Sequence, residues 1–257
     1  MTRETKQTGG YPLRFTESGM IFMDGRDNCD AVVDEMLRMN YSEEFCLSLD
    51  WNLDFVAELM YSGFLVMSET IDTGEERDGK PVFVDILLPK LHLTRSLLWF
   101  RELHIKKSVQ NIVKRYELAY DKDYETIVEK CLFTHGDGWL TSTLLSSMAE
   151  MRRTPNLAVR PVSFAAYRNG ELKAGEFGVR CGNVYTSYSG FREESNAGTA
   201  QMILMARYLN DHGFGFLDFG MPLDYKTDLG ARNVYPEEFV ALFRRWRQKP
   251  GAPFSPD

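Results

Sequence analysis

VSFAAYRNGELKAGEFGVRCGNVYTSYSGFREESNAGTAQMILMARYLNDHGFGFLDF, residues 162–219, is the stretch whose reading decides the fold. Val162–Tyr167, Glu171–Arg180 and Asn183–Tyr188 read as three short strands. Asn169-Gly170 between the first two is a tight-turn dipeptide, because a type I′ hairpin turn needs positive φ at both positions. Asn196–His212 reads as a helix: Ala197, Ala200, Ile203, Leu204 and Tyr208 recur on one face, and Gly213 stands where a left-handed residue ends it. Phe214–Phe219 follows as a strand. Pro236–Arg247 closes the pattern as an amphipathic helix, with Glu237 and Glu238 at its positive end and bases at its negative end. An antiparallel meander, a long helix, a strand and a final helix define an α+β domain.

Upstream, Ala31–Met39 and Asn52–Tyr61 read as helices, the second with Leu53, Val56, Leu59 and Met60 in phase and Gly63 as its stop. Phe64–Met67 reads as a strand and Thr70–Lys80 as a loop or hairpin connection. Val82–Leu88 and Ser96–Phe100 are strands, Ser108–Tyr116 a helix, Glu117–Tyr120 a strand, and Tyr124–Cys131 and Thr141–Arg152 helices, the last stopped before Pro155. The first twenty or so residues, rich in Thr and Gly, are expected to be partly mobile.

At 257 residues the chain has room for one to two domains. Its 44% hydrophobic and 26% charged residues exclude a disordered or fibrous protein. No apolar run is long enough to span a membrane, and Met1–Tyr11 lacks the apolar core of a signal peptide. Cys29, Cys46, Cys131 and Cys181 form no CxxC pair, so reduced, buried thiols in a cytoplasmic protein are expected. The four histidines are scattered, which speaks against a zinc site. The net charge of −7 disfavours nucleic acid as a partner, but it averages two unlike regions. Residues 24–78 hold 15 acids and 3 bases, whereas residues 95–115 hold Arg95, Arg101, Lys106, Lys107, Lys114 and Arg115 against the single acid Glu102.

Nucleotide, hydrolase and zinc-protease motifs are absent. Four weaker features remain, each with two readings. His104, at a helix head beside Lys106 and Lys107, is a solvated helix start or a phosphate contact. Trp139 is a core aromatic or a base-stacking platform. Asp218, ending an apolar strand, is a turn acid, or it orients an amine nucleophile or takes its proton. Glu176, between Gly175 and Phe177-Gly178, faces outward, or lies where a ligand approaches the backbone.

The order of elements in the second half fits an acyltransferase domain of the GNAT type. In sequence, most of the chain, from about Asp50 to Arg245, resembles the leucyl/phenylalanyl-tRNA–protein transferase family. Arg95-Ser96-Leu97-Leu98 and Leu103-His104-Ile105-Lys106-Lys107-Ser108 resemble its strand and Leu-His-Ile-Ser-Arg-Ser motif. Gly138-Trp139-Leu140 resembles its Thr-Trp-Ile, and Glu171–Val179 its Leu-Val-Gly-Gly-x-Tyr-Gly-Val strand. Phe216-Leu217-Asp218, with Asp228-Leu229-Gly230-Ala231 beyond it, resembles Leu-Ile-Asp-x-Gln and Ser-Leu-Gly-Ala. The departures are the missing Trp-Trp-Ser-Pro segment near Pro89–Thr94, Val66-Met67 for Pro-Trp, Val162–Ala165 for His-Ser-x-Glu, Tyr188 for the Glu of Gly-Glu-Ser, and Gly220 for the Gln after the aspartate.

The resemblance implies a small N-terminal α/β domain, residues 1–94, and a GNAT-like aminoacyltransferase domain, residues 95–257. It implies transfer of an amino acid from the 3′ end of a charged tRNA to the N-terminal amine of an acceptor protein, as in N-degron tagging, without metal or acetyl-CoA. Asp218 and Tyr188 are then the catalytic candidates. Glu176, Met202, Met205 and Leu217 line the side-chain pocket, and Trp139 and Gly220 contact substrate. Arg95, His104, Lys106, Lys107 and Arg115 hold the tRNA. A carboxylate in that pocket suits a polar or cationic donor side chain, and an N-terminal Arg or Lys is the expected acceptor. Asp218→Ala is expected to abolish transfer and leave the fold intact. The alternatives are a catalytically degenerate binder of protein N-termini or tRNA, and a GNAT N-acyltransferase with another acyl donor; Asn196-Ala197-Gly198 is a poor acetyl-CoA loop.

Overall fold

The computed structural model describes residues Gly10–Lys249, so the expected mobility of the N-terminus lies, for residues 1–9, outside the described residues. The chain divides into two units that do not follow one another in sequence. Described residues up to Leu93 join Asp137–Ala158, and Thr94–Gly136 joins the residues from Val159 onward.

The first unit contains β1 (Arg14–Phe15), β2 (Ile21–Phe22), α1 (Cys29–Met39), β3 (Cys46–Leu47), α2 (Leu53–Tyr61), β4 (Leu65–Arg77) and β5 (Lys80–Lys90). Asn28 caps α1 by accepting from the Ala31 N–H, and Asn52 caps α2 by accepting from Asp54 and Phe55. β1, β2 and β3 form a small sheet, while β4 and β5 form a separate antiparallel ribbon that turns at Asp78-Gly79, both at positive φ. The ribbon runs through Thr70–Lys80, where the sequence predicts a loop or hairpin connection. Its outer residues are charged or polar and exposed, so no apolar period marks them.

The helix Ser142–Arg153 (α5) also belongs to this unit, although a boundary at residue 94 assigns it to the second domain. The cause is local. α5 packs on α2, with Leu144, Met148 and Met151 buried. Ser68 donates its N–H to the Trp139 carbonyl, and its Oγ accepts from the Thr141 N–H at 2.9 Å. Thr143 donates to the Asp85 carboxylate at 2.5 Å.

The second unit contains β6 (Arg95–Leu98), a 3-10 turn at Phe100–Glu102, α3 (Lys107–Val113), β7 (Glu117–Tyr120), α4 (Tyr124–His135), β8 (Val159–Arg168), β9 (Glu171–Cys181), β10 (Val184–Arg192), α6 (Ala197–Asp211), β11 (Phe216–Asp218), α7 (Asp224–Asp228), β12 (Arg232–Val234) and α8 (Pro236–Arg247). Its seven strands form one sheet in the order β12-β6-β11-β10-β9-β8-β7. Every neighbouring pair is antiparallel except β10 and β11, which α6 joins by a crossover. Val162, Phe164, Ala174, Tyr185 and Leu217 face α6, where Ala200, Ile203 and Met205 complete a core. Strand alternation sends Thr186, Asp218 and Phe177 to the opposite face. The meander, α6 and α8 match the sequence reading closely. α7 and β12 were not foreseen, because α7 is a five-residue polar segment and β12 has three residues, two of them exposed.

Candidate active site

The parallel pair is short. Val184, Tyr185 and Thr186 pair with Phe216, Leu217 and Asp218, after which β11 ends while β10 runs on to Arg192. A crevice at the carboxyl ends of parallel strands, where the connections change direction, is a favoured ligand position in mixed sheets. A β-bulge lies just beyond: Ser187 pairs with Gly178 and Ser189 with Phe177, leaving Tyr188 as the extra residue. Its ring centroid lies 6.3 Å from that of Phe177, so the bulge turns Tyr188 onto the face that also carries Thr186 and Asp218. Tyr188 is half-buried there.

Asp218, at the exit of β11, is fully buried, and both its oxygens are occupied. Arg95 Nε donates to Oδ1 at 2.9 Å and Nη2 to Oδ2 at 2.7 Å, a bidentate pair. The Gly220 N–H donates to Oδ1 at 2.9 Å and Thr186 Oγ1 to Oδ2 at 2.9 Å. These donors fill about four lone-pair sites, the capacity of a carboxylate. The pairing follows from register: β6 runs antiparallel to β11 with Leu97 opposite Asp218, so Arg95, two residues away, shares that face. Gly220, at φ +71°, lets the chain turn back so that its N–H caps the carboxylate and its carbonyl accepts from the Ser96 N–H.

Two sequence expectations change here. Arg95 is 1% exposed and lies over the Phe239 ring at 4.3 Å, so it is a buried counterion and not a phosphate ligand. All four lone-pair sites of Asp218 are engaged by Arg95, Thr186 and Gly220, which leaves none for the amine proton the sequence reading assigned to it.

On the α6 face, Glu176 is 4% exposed and its Oε1 has no hydrogen-bond partner. Burial pushes its carboxyl up to about 7, against the opposing effect of Ser187, Tyr185 and Gln201, which lie close by. The Tyr185 hydroxyl is likewise buried; burial and the neighbouring Glu176 push it well above the ordinary tyrosine value. Gly178 makes room for it, since a Cβ there would stand 2.8 Å from that hydroxyl and 2.2 Å from the Thr186 carbonyl. Met205 and Leu217 are buried in the same layer, and Met202 packs against it half-exposed. Glu176, opposite Phe164 in the β8–β9 register, lies on the same face of the sheet as this layer.

Lys226 enters from α7. Its ammonium donates to the Phe219 carbonyl at 2.7 Å and the Met221 carbonyl at 2.8 Å, just past the end of β11. The residue is 6% exposed. Nothing in the polar segment Asp224–Asp228 marks it as a buried lysine.

The remaining expected residues lie elsewhere. His104, Lys106, Lys107 and Arg115 are exposed in the second unit, with Lys106 paired to Asp228 at 2.6 Å. Trp139 is half-buried in the first unit, its carbonyl held by Ser68. The four cysteines are buried, and none forms a disulfide.

Residues 97–244 match the family model described as leucyl/phenylalanyl-tRNA protein transferase, and the chain belongs to that family. Among curated relatives, the leucyl/phenylalanyl-tRNA–protein transferase of Pseudomonas putida strain W619 is 26% identical over 166 residues, covering 62% of this chain and 70% of the relative. That of Pseudomonas entomophila strain L48 is 27% identical over 164 residues, covering 61% and 70%. Among solved structures, FemX aligns over 91% of this chain and 86% of its own at 10% identity, with a TM-score of 0.44. L-PGS from Bacillus licheniformis aligns over 96% and 89% at 10% identity, with a TM-score of 0.41. No helix among the described residues is long and apolar enough to cross a membrane.

Proposed function

We propose that this chain transfers an amino acid from a charged tRNA to the N-terminal amine of an acceptor protein, through a GNAT-like second unit. The family match carries the reading, because residues 97–244 include β10, β11 and the α6 crossover that joins them. The chemistry asked of the protein is modest. The tRNA ester is already activated, so positioning two substrates and moving one proton supplies the catalysis.

The donor side chain enters the layer of Glu176, Met202, Met205 and Leu217. A buried carboxyl with an unpartnered oxygen favours a donor that brings a hydrogen-bond donor or a positive charge over a purely apolar one. Leu-tRNA and Phe-tRNA are then poor donors, and Glu176→Met improves their use. Equal use of both by the two proteins removes this part of the reading. The acceptor is an N-terminal Arg or Lys, and tagging of proteins for degradation in the cytoplasm is the role that follows.

The deciding experiment incubates the protein with charged total tRNA and a peptide bearing N-terminal Arg or Lys, then reads the peptide mass. A mass increase of one aminoacyl residue supports transfer. Peptide or tRNA binding without a mass change identifies a degenerate binder, a reading favoured by the full occupancy of Asp218.

The tRNA is held by the exposed bases of residues 95–115. Reversing Lys106 and Lys107 to Glu is expected to weaken tRNA binding at least tenfold and to flatten its salt dependence by about two phosphate contacts. Filter binding across a salt series measures both, and an unchanged slope places the tRNA elsewhere.

A further inference from the structure

We infer that the Lys226 side-chain nitrogen takes the proton from the acceptor amine as it attacks the aminoacyl ester, and hands it to the departing 3′ oxygen. This rests on the transferase reading above. In the step, the acceptor nitrogen forms a bond to the ester carbonyl carbon and the bond from that carbon to the 3′ oxygen breaks. The proton lost by nitrogen moves to Nζ and then to the leaving oxygen, so Lys226 returns to its starting state and no co-reactant is needed.

The geometry favours Lys226 over the other buried groups. Asp218 has every lone pair engaged. Lys226 has two hydrogen bonds, both to backbone carbonyls, and no third acceptor among the described residues. A neutral amine has two N–H donors and one lone pair. Lys226 can therefore lose its third proton and keep both carbonyl bonds, with the lone pair directed away from them. The backbone of the turn after β11 thus fixes the nitrogen in either protonation state, at the carboxyl end of the parallel pair.

The charges around it are mixed. Asp218 on β11 and Glu176 on β9 favour the ammonium, Arg95 on β6 opposes it, and the Tyr225 ring of α7 lies 5.7 Å away. Burial outweighs the acids and lowers the group from the ordinary lysine value to about 8. A base that titrates near 8 is matched to proton transfer at physiological pH.

The test compares the full-length protein with its Lys226→Arg variant, in which the charge persists but the proton cannot be lost. The turnover rate at saturating tRNA and peptide is expected to fall about 100-fold or more, with the tRNA dissociation constant unchanged. Wild-type turnover is expected to rise with pH through about 8, and Lys226→Arg to lose that rise. A ¹³C NMR titration of the Lys226 ε-carbon, assigned by its absence in the variant, is expected to show a midpoint near 8 in the wild type. That titration reads the native protein and does not depend on the variant folding. Transfer by Lys226→Arg within about threefold of wild type overturns the assignment and leaves the transferase reading standing. A midpoint at the ordinary lysine value does the same. Absence of transfer by the wild type overturns both.

Discussion

Asp218→Ala is expected to lower the unfolding free energy by about 3–5 kcal/mol, a large share of the stability of a typical domain. The reason is the partner left behind. Arg95 is 1% exposed and donates to Asp218 through Nε and Nη2, so removing the carboxylate strands a guanidinium in the core. Thr186 Oγ1 and the Gly220 N–H lose their acceptor in the same change. Replacing both charges, with Arg95→Met and Asp218→Leu, is expected to recover most of the loss, because a buried ion pair adds little over well-packed apolar residues. Urea unfolding of the wild type, the single variants and the double variant measures this; a single-variant loss under about 1 kcal/mol contradicts it. The substitution that the sequence recommended as a clean probe of catalysis is therefore a probe of the fold. Lost transfer in Asp218→Ala would not identify a proton acceptor.

Glu176→Gln is expected to stabilise the protein at pH 8 and to leave it unchanged near pH 4.5. In the fold the carboxyl titrates at about 7, above its ordinary value of 4.5, so the fold prefers the protonated form. Below pH 4.5 the side chain is protonated whether folded or unfolded, and burial costs nothing in ionisation. As pH rises from 4.5 to 7 the unfolded chain ionises first, and folding must rebind a proton. Above 7 the penalty is complete, up to about 3 kcal/mol at 1.36 kcal/mol per pH unit. Glutamine carries no such penalty. Urea unfolding at pH 5 and pH 8 reads the difference, and a pH-independent gap between the two proteins refutes it.

How much of this was legible in the sequence depended on range. α6 and α8 bury apolar faces that recur every three to four residues, so their extents could be read directly. The Asn169-Gly170 turn likewise fixes the β8–β9 hairpin locally, with both residues at positive φ. Glu176 drew attention through its flanking glycines, and Gly178 is required where Tyr185 crosses it. The Arg95–Asp218 pair was not legible. The two residues are 123 positions apart, and they meet only because β6 is placed beside β11, a choice of strand order that no local pattern encodes. Counting Arg95 among surface bases was the natural consequence. Lys226 was hidden for another reason: in Asp-Tyr-Lys-Thr-Asp it looks solvated, and only the two carbonyls of the turn show otherwise.

The return of Asp137–Ala158 to the first unit sets how the chain can be cut and when it can close. A fragment beginning at residue 95 would carry α5 without α2, exposing Leu144, Met148 and Met151 to water and inviting aggregation. A fragment ending at residue 94 would lack α5 and the segment leading into it, which bind Ser68 and Asp85. On the ribosome, the first unit cannot complete its core until about residue 158 has emerged, by which time β6, β7 and their helices are already outside the tunnel, waiting for β8 to β11. Synthesis from the N-terminus therefore finishes neither unit early. A chaperone that shields apolar surface during that interval should raise the yield of folded protein more than one acting after release.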